Sequence, residues 1–187
     1  MNIEESIMTL NIKLDEVMRQ NIISYINYKA NNPMMIRGED NEGDIDKNIR
    51  DVNGFTLNDS SISDKVYFKH IMNIIFTYLP NYNVKFPFNK ARKLNQIDLL
   101  KYGPKGKYEV HVDNDTGAYR TLSCIINLND DYKGGDLVFF NPINRKEYKR
   151  VKCKTGTIIF FPSTFLFPHS IEPITKGVRY SIVSWLL

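Results

Sequence analysis

Lys107-Tyr108-Glu109-Val110-His111-Val112-Asp113 reads as a β-strand that ends in two metal-type ligands. Side chains alternate along a strand, so His111 and Asp113, with Val112 as the single spacer, point to one face. A third ligand follows at His169. Two imidazole nitrogens and one carboxylate oxygen make a facial triad, a set that suits Fe(II) and leaves three coordination positions open. Ten residues beyond His169 stands Arg179, whose guanidinium fork can clamp a carboxylate. An HxD pair alone is a weak signal in a chain with three His and 21 acidic residues. The order HxD, His, Arg, each in β-type surroundings, is what raises it to a metal reading.

The β pattern extends outward from this strand. Strands are expected near 95–102, 107–113, 121–128, 136–141, 147–152, 156–161, 167–172 and 178–186. Turns are marked by Gly103-Pro104-Lys105-Gly106, Asn114-Asp115-Thr116-Gly117, Lys133-Gly134-Gly135 and Lys154-Thr155-Gly156. Upstream, Met8, Leu10 and Ile12 alternate with polar residues as a short first strand would. Leu14, Val17, Met18, Ile22, Tyr25 and Ile26 then share one helical face. Tyr67, Ile71, Ile74, Ile75 and Tyr78 form a second helical stripe, with Ser63-Asp64 as the expected N-cap and Pro80 as the expected stop. His70 lies in that helix with no carboxylate at ligand spacing and reads as a helix-face residue. Residues 31–60 lose all periodicity and are dense in Asp, Glu, Asn and Gly. They read either as a solvated loop or as a substrate lid.

Eight short strands after two helices predict an α+β, mainly β fold: a jelly roll with the N-terminal helices packed on one outer face. In such a roll an early and a late strand can be neighbours, which is how Asp113 and His169 would meet. The 187 residues suffice for one domain. No apolar run reaches ~18 residues, so no membrane span is expected. Met1-Asn2-Ile3-Glu4-Glu5 is acidic where a signal peptide would be basic. Cys124 and Cys153 sit in strand-like runs and read as buried free thiols, which places the chain in reducing cytoplasm. Residues 1–60 carry 11 acidic and 6 basic side chains, a net of −5; residues 61–187 carry 10 and 19, a net of +9. That asymmetry is either solvated surface or a basic face for an acidic partner or co-substrate. Abundant Asn, Lys and Ile with three Ala hint at an AT-rich genome, such as that of a phage or a streamlined bacterium.

Tyr102-x₃-Gly106-x-Tyr108-x₂-His111-x-Asp113 resembles the opening motif of the prolyl 4-hydroxylase group of Fe(II)/2-oxoglutarate dioxygenases. So do Leu122 to Asp130, Gly134-Gly135-Asp136-Leu137, Gly156 to Pro162, Pro168-His169-Ser170, and Gly177-Val178-Arg179-Tyr180-Ser181 with Trp185. The match covers roughly residues 95–187. The resemblance implies a double-stranded β-helix core over 95–187, with 1–94 as helical support and candidate lid. It implies His111, Asp113 and His169 as iron ligands and Arg179 as the partner of the distal carboxylate of 2-oxoglutarate. Tyr102 matches a tyrosine lining the pocket. Arg120 and Trp185 match positions near substrate in some relatives. Asn127 stands where some relatives hydrogen-bond 2-oxoglutarate through a tyrosine; it too can donate, but it is shorter.

The implied reaction is hydroxylation of a peptidyl proline by Fe(II), 2-oxoglutarate and O₂, with ascorbate as an accessory reductant and succinate and CO₂ as co-products. The expected partner is therefore a peptide or protein segment containing proline, and no membrane. The alternatives are a nucleic-acid demethylase of the same superfamily or another small substrate, and a non-catalytic jelly-roll binding module. Against nucleic acid, the second arginine such demethylases use is missing between Tyr180 and Leu187. Against the binding module, the triad is intact.

Overall fold

The computed structural model describes residues 3–37, 43–114 and 119–187. A 3-10 turn, Ile3–Ser6, leads into β1 (Met8–Asn11) and helix α1 (Glu16–Lys29). Four short strands follow: β2 (Ile36–Arg37), β3 (Gly43–Asp44), β4 (Arg50–Asp51) and β5 (Asn53–Thr56). Helix α2 (Ile62–Lys85) precedes the β core. Its strands are β6 (Leu94–Tyr102), β7 (Lys107–His111), β8 (Leu122–Asn127), β9 (Lys133–Gly134) and β10 (Leu137–Phe140). After these come β11 (Glu147–Val151), β12 (Thr157–Pro162), β13 (His169–Ile171), β14 (Ile174–Lys176) and β15 (Arg179–Leu186).

Two antiparallel sheets face each other. The larger runs β1-β12-β8-β15-β6-β5 and the smaller β11-β10-β13-β7-β4. This is the expected double-stranded β-helix, and all eight expected core strands are present. Strands of the larger sheet are apolar on both faces because both are covered. Ile97, Leu99, Cys124, Ile126, Ile158, Phe160 and Ile182 pack outward against Ile22, Ile26, Ile71, Ile75 and Leu79 of the helices. Their strand neighbours Leu100, Tyr102, Ile125, Ile159 and Phe161 turn inward to meet Leu137, Phe139 and Ile171 of the smaller sheet. The helices thus lie on one outer face and leave the space between the sheets for the site. Cys124 and Cys153 are buried free thiols, as expected.

Asp15 caps α1, accepting from the Met18 N–H at 2.7 Å. The cap of α2 is Ser61, two residues earlier than expected, and its Oγ accepts from Asp64 N at 3.0 Å. Asp64 is instead a fully buried acid that ties the helices together, accepting from Lys29 Nζ at 2.9 Å and Tyr25 OH at 2.6 Å. Pro80 does not stop the helix, which continues to Lys85. A proline costs the helix one N–H bond and a clash with the preceding turn. Here Leu79 and Tyr82, both buried on the sheet, keep that turn in place, and Tyr82 OH donates to Ser6 O at 3.1 Å.

The 31–60 segment is not aperiodic throughout. Arg50 and Asp51 pair with Tyr108 and Lys107, while Asn53 to Thr56 pair with Lys101 to Asp98. One end of the candidate lid is therefore stitched to both sheets; its residues 38–42 lie outside the described residues, as do 115–118 of the turn after Asp113. Lys133-Gly134, expected as turn, forms a short ladder with β14. Strands of two to four residues are too short to show a period in sequence.

Candidate metal centre

β7 and β13 are hydrogen-bonded neighbours, and His111 and His169 are register partners. Asp113 follows β7 on the same face. His111 Nε2 lies 3.7 Å from Asp113 Oδ1, and His169 Nε2 lies 3.7 Å from Asp113 Oδ2. One donor atom from each residue falls within 4.8 Å of the others. His111 Nδ1 bonds Glu109 O at 2.8 Å and His169 Nδ1 bonds Phe167 O at 3.0 Å. A carbonyl only accepts, so each ring carries its proton on Nδ1 and turns a bare Nε2 lone pair to the centre. Ser123 Oγ donates to Asp113 Oδ2 at 2.6 Å and is itself bonded to Ser163 Oγ at 2.8 Å. Tyr108 stacks on His111 with centroids 3.6 Å apart.

The electrostatics favour cation ligation. Burial, then the neighbouring His169, pulls the His111 imidazole from 6.5 down to about 3, so it stays neutral. Burial opposes the Asp113 charge, but His169, His111 and the Ser123 hydroxyl outweigh it and hold the carboxyl below its usual range. A neutral imidazole at His111 and an ionised carboxylate at Asp113 are the forms in which such side chains bind a divalent metal.

Arg179 opens β15 and is 1% exposed. Its Nε donates to Asn127 Oδ1 at 3.1 Å, its guanidinium lies 5.2 Å from the Tyr102 ring centroid, and its Nη2 is buried without a partner. Among the described residues no carboxylate lies within ion-pair distance of it. A cavity of roughly 390 Å³, its open mouth included, joins Arg179 and Tyr102 to the triad. Trp185 also lines it, and its indole Nε1 is buried without a hydrogen-bond partner. Arg120 is placed behind this wall, 3.7 Å from the Trp185 ring, with Nη1 donating to Asp113 O at 3.0 Å.

A family model described as the 2OG-Fe(II) oxygenase superfamily matches residues 97–187. Over those residues the chain is similar to that superfamily. The chain is 32% identical over 127 residues to a PKHD-type hydroxylase of Synechococcus sp. (strain CC9311), covering 66% of this chain and 56% of that protein. It is 34% identical over 92 residues to prolyl 3-hydroxylase 3 of Homo sapiens, covering 42% of this chain and 12% of that one. The chain thus spans about half the length, or less, of these curated relatives. Two solved structures share the fold over 97% of this chain. One is a Pseudomonas putida prolyl-4-hydroxylase, 18% identical, TM-score 0.72, 92% of it covered. The other is a Trichoplax adhaerens prolyl hydroxylase in complex with a peptide fragment of hypoxia inducible factor, 16% identical, TM-score 0.77, 83% covered.

Members of the superfamily use Fe(II), 2-oxoglutarate and O₂. The core of this chain fits that set on its own observations. Two bare imidazole nitrogens and a carboxylate suit Fe(II), and a buried guanidinium with an unpartnered N–H awaits an anion. Among the described residues no helix is long and apolar enough to cross a membrane. Four residues around this site escaped the sequence reading. Ser123 on β8 braces Asp113 and is itself bonded to Ser163, just past the end of β12. Arg50, from the 31–60 segment, lines the cavity mouth with its guanidinium 4.7 Å from the Tyr108 ring. Tyr132 reaches Asn127 and the Cys153 carbonyl. None of the four carried a local sequence signal.

Proposed function

We propose that this chain is an Fe(II)- and 2-oxoglutarate-dependent dioxygenase that hydroxylates a proline within a peptide or protein. The observation that supports it most is one cavity holding the His111–Asp113–His169 cluster together with the uncompensated Arg179 guanidinium. In this reading His111 and His169 give Nε2 and Asp113 gives a carboxylate oxygen to the iron. When bound, Fe(II) with 2-oxoglutarate and O₂ supplies the oxidation that places one oxygen on substrate and turns 2-oxoglutarate into succinate and CO₂.

The protein's part is orientation and exclusion of water. Arg179 pairs with the distal carboxylate of 2-oxoglutarate, and burial makes that pair strong. Burial also raises the Tyr102 phenol, so its hydroxyl stays protonated beside Arg179 and can donate. Ser123 and Ser163 fix the Asp113 rotamer, and the two carbonyls fix the rings. Tyr108 and Trp185 wall the mouth with apolar surface suited to a proline ring, and Arg50 adds a cation for backbone carbonyls. The name of the human relative, prolyl 3-hydroxylase 3, supports proline as the target.

The test is succinate release by the purified chain with Fe(II), 2-oxoglutarate and ascorbate against proline peptides and methylated nucleic acids. Peptide-stimulated release supports the reading; stimulation by nucleic acid alone would replace the substrate while leaving the iron chemistry.

A further inference from the structure

One buried acid has no part in the proposed chemistry. Asp98 is 2% exposed in the middle of β6. Leu100 and Tyr102, farther along the same strand, line the cavity, so alternation puts Asp98 on that inward face. Its register partner on β15 is Val183, and that of Gln96 is Trp185; both partners line the cavity. A carboxyl group in such an apolar row is costly unless its oxygens are engaged. Thr56 Oγ1 and Gln96 Nε2 both donate to Asp98 Oδ1, each at 2.7 Å. Burial pushes the carboxyl up, and these two bonds, then the charges of Arg50 and Arg120, pull it part of the way back. With its proton absent or on Oδ2, Oδ1 accepts in either case.

The bond to Asp98 decides which way the Gln96 amide faces. With Nε2 committed to Asp98, Oε1 is turned to Arg120, whose Nη2 lies 3.5 Å away. That is long for a hydrogen bond, so what counts is its sign. Arginine carries only donors, and a reversed amide would set N–H against N–H. Arg120 in turn donates from Nη1 to Asp113 O at 3.0 Å, and its guanidinium lies 3.7 Å from the Trp185 ring centroid. A cation over an indole face is attracted by the ring quadrupole, and here it backs one wall of the cavity.

We propose that Asp98 is a positioning residue for the substrate wall: by fixing the Gln96 amide it keeps Arg120 against Trp185 and so sets the face that the peptide meets. The proposal rests on the reading of the cavity as a peptide hydroxylation site. The Asp113 carboxylate is held separately, by Ser123, so metal binding does not depend on Asp98.

Trp185 is the one tryptophan in the chain, so its emission reports this wall alone. The experiment compares Trp185 emission of the metal-free protein, Mn(II) affinity and peptide KM across variants. Asp98→Leu removes the acceptor. Gln96→Leu breaks the same link at a half-buried position, which keeps the test open should Asp98→Leu fail to fold. Both are expected to shift the emission to the red as the indole loses its cover, and to raise peptide KM several-fold with Mn(II) affinity unchanged. Asp98→Asn keeps an oxygen for Gln96 and is expected to retain the unsubstituted emission. Thr56→Val removes the other bond to Asp98 and is expected to lower the melting temperature without moving the emission. Unmoved emission in the leucine variants overturns the proposal. So does an equal shift in Thr56→Val, which would make Asp98 a staple between β5 and β6, and so does a shift without any rise in peptide KM. If no peptide stimulates the unsubstituted protein while the emission shift is present, the hydroxylase reading falls and Asp98 stands as the residue that sets the Trp185 wall.

Discussion

His111 and His169 use one local device from two strands: each turns Nδ1 to the carbonyl two residues earlier in its own chain, Glu109 and Phe167. Because they are also register partners across β7 and β13, the device leaves both Nε2 atoms converging on Asp113. The tautomer of the centre is thus set by backbone, without an acidic side chain behind either ring. His111→Ala or His169→Ala is expected to lower Mn(II) affinity by orders of magnitude and abolish turnover. Wild-type metal stoichiometry and full activity in either variant would remove the triad assignment.

Ser123→Ala removes the 2.6 Å bond to Asp113 Oδ2 without touching a ligand. Outer partners of metal ligands typically matter by about 10–100-fold in affinity or activity, and a loss in that range is expected for Mn(II) binding. A change below twofold would mean that Asp113 is held by the backbone alone.

Arg179→Ala should raise the 2-oxoglutarate requirement sharply, since losing one member of a buried charge pair costs about 3–5 kcal/mol. Arg179→Lys should recover part of it, because the charge returns without the fork. An unchanged KM for 2-oxoglutarate in Arg179→Ala would show the carboxylate bound elsewhere.

Arg50 lines the cavity without being one of the three candidate ligands. Arg50→Ala should raise the KM for a peptide several-fold while leaving Mn(II) and 2-oxoglutarate binding as they were. Loss of metal binding instead would mean that Arg50 acts through the Tyr108–His111 stack.

Stability of the metal-free protein should fall with pH. The native His111 pKa of about 3 lies below the ordinary 6.5, so the folded state binds fewer protons than the unfolded chain in that window. The linkage slope then makes stability complete above about 6.5 and lost progressively as pH drops toward 3. Asp113 and Asp64, both depressed, add their own loss below the ordinary carboxylate range. Denaturant melts in a chelator should show the decline, and His111→Ala should flatten it between about pH 7 and 5. A decline of equal slope in His111→Ala would assign the effect to other groups.

Much of this arrangement is legible in the chain. Alternation at His111-Val112-Asp113 puts both on one face, and the apolar strands from Leu94 onward announce a sheet covered on both sides. What stays hidden is what depends on contacts between strands. Nothing local marks Ser123 as the partner of Asp113, or Tyr132 as the neighbour of Arg179, since each meets its partner only after the sheets close. Arg50 was hidden because a two-residue strand has no period to read. Pro80 misled because its local preference is overridden by the buried residues on either side of it, Leu79 and Tyr82. The same holds for Asp64, whose Lys29 partner lies on another helix.

The most direct test of the central claim is mass spectrometry of a proline-containing peptide after reaction under ¹⁸O₂ with Fe(II), 2-oxoglutarate and ascorbate. The expected result is one heavy oxygen localised to proline, one succinate per oxygen inserted, and neither in the Arg179→Ala variant at limiting 2-oxoglutarate. Peptides that gain no oxygen from ¹⁸O₂ under conditions in which the protein binds its metal and consumes 2-oxoglutarate, or oxygen found only on a residue other than proline, would contradict it.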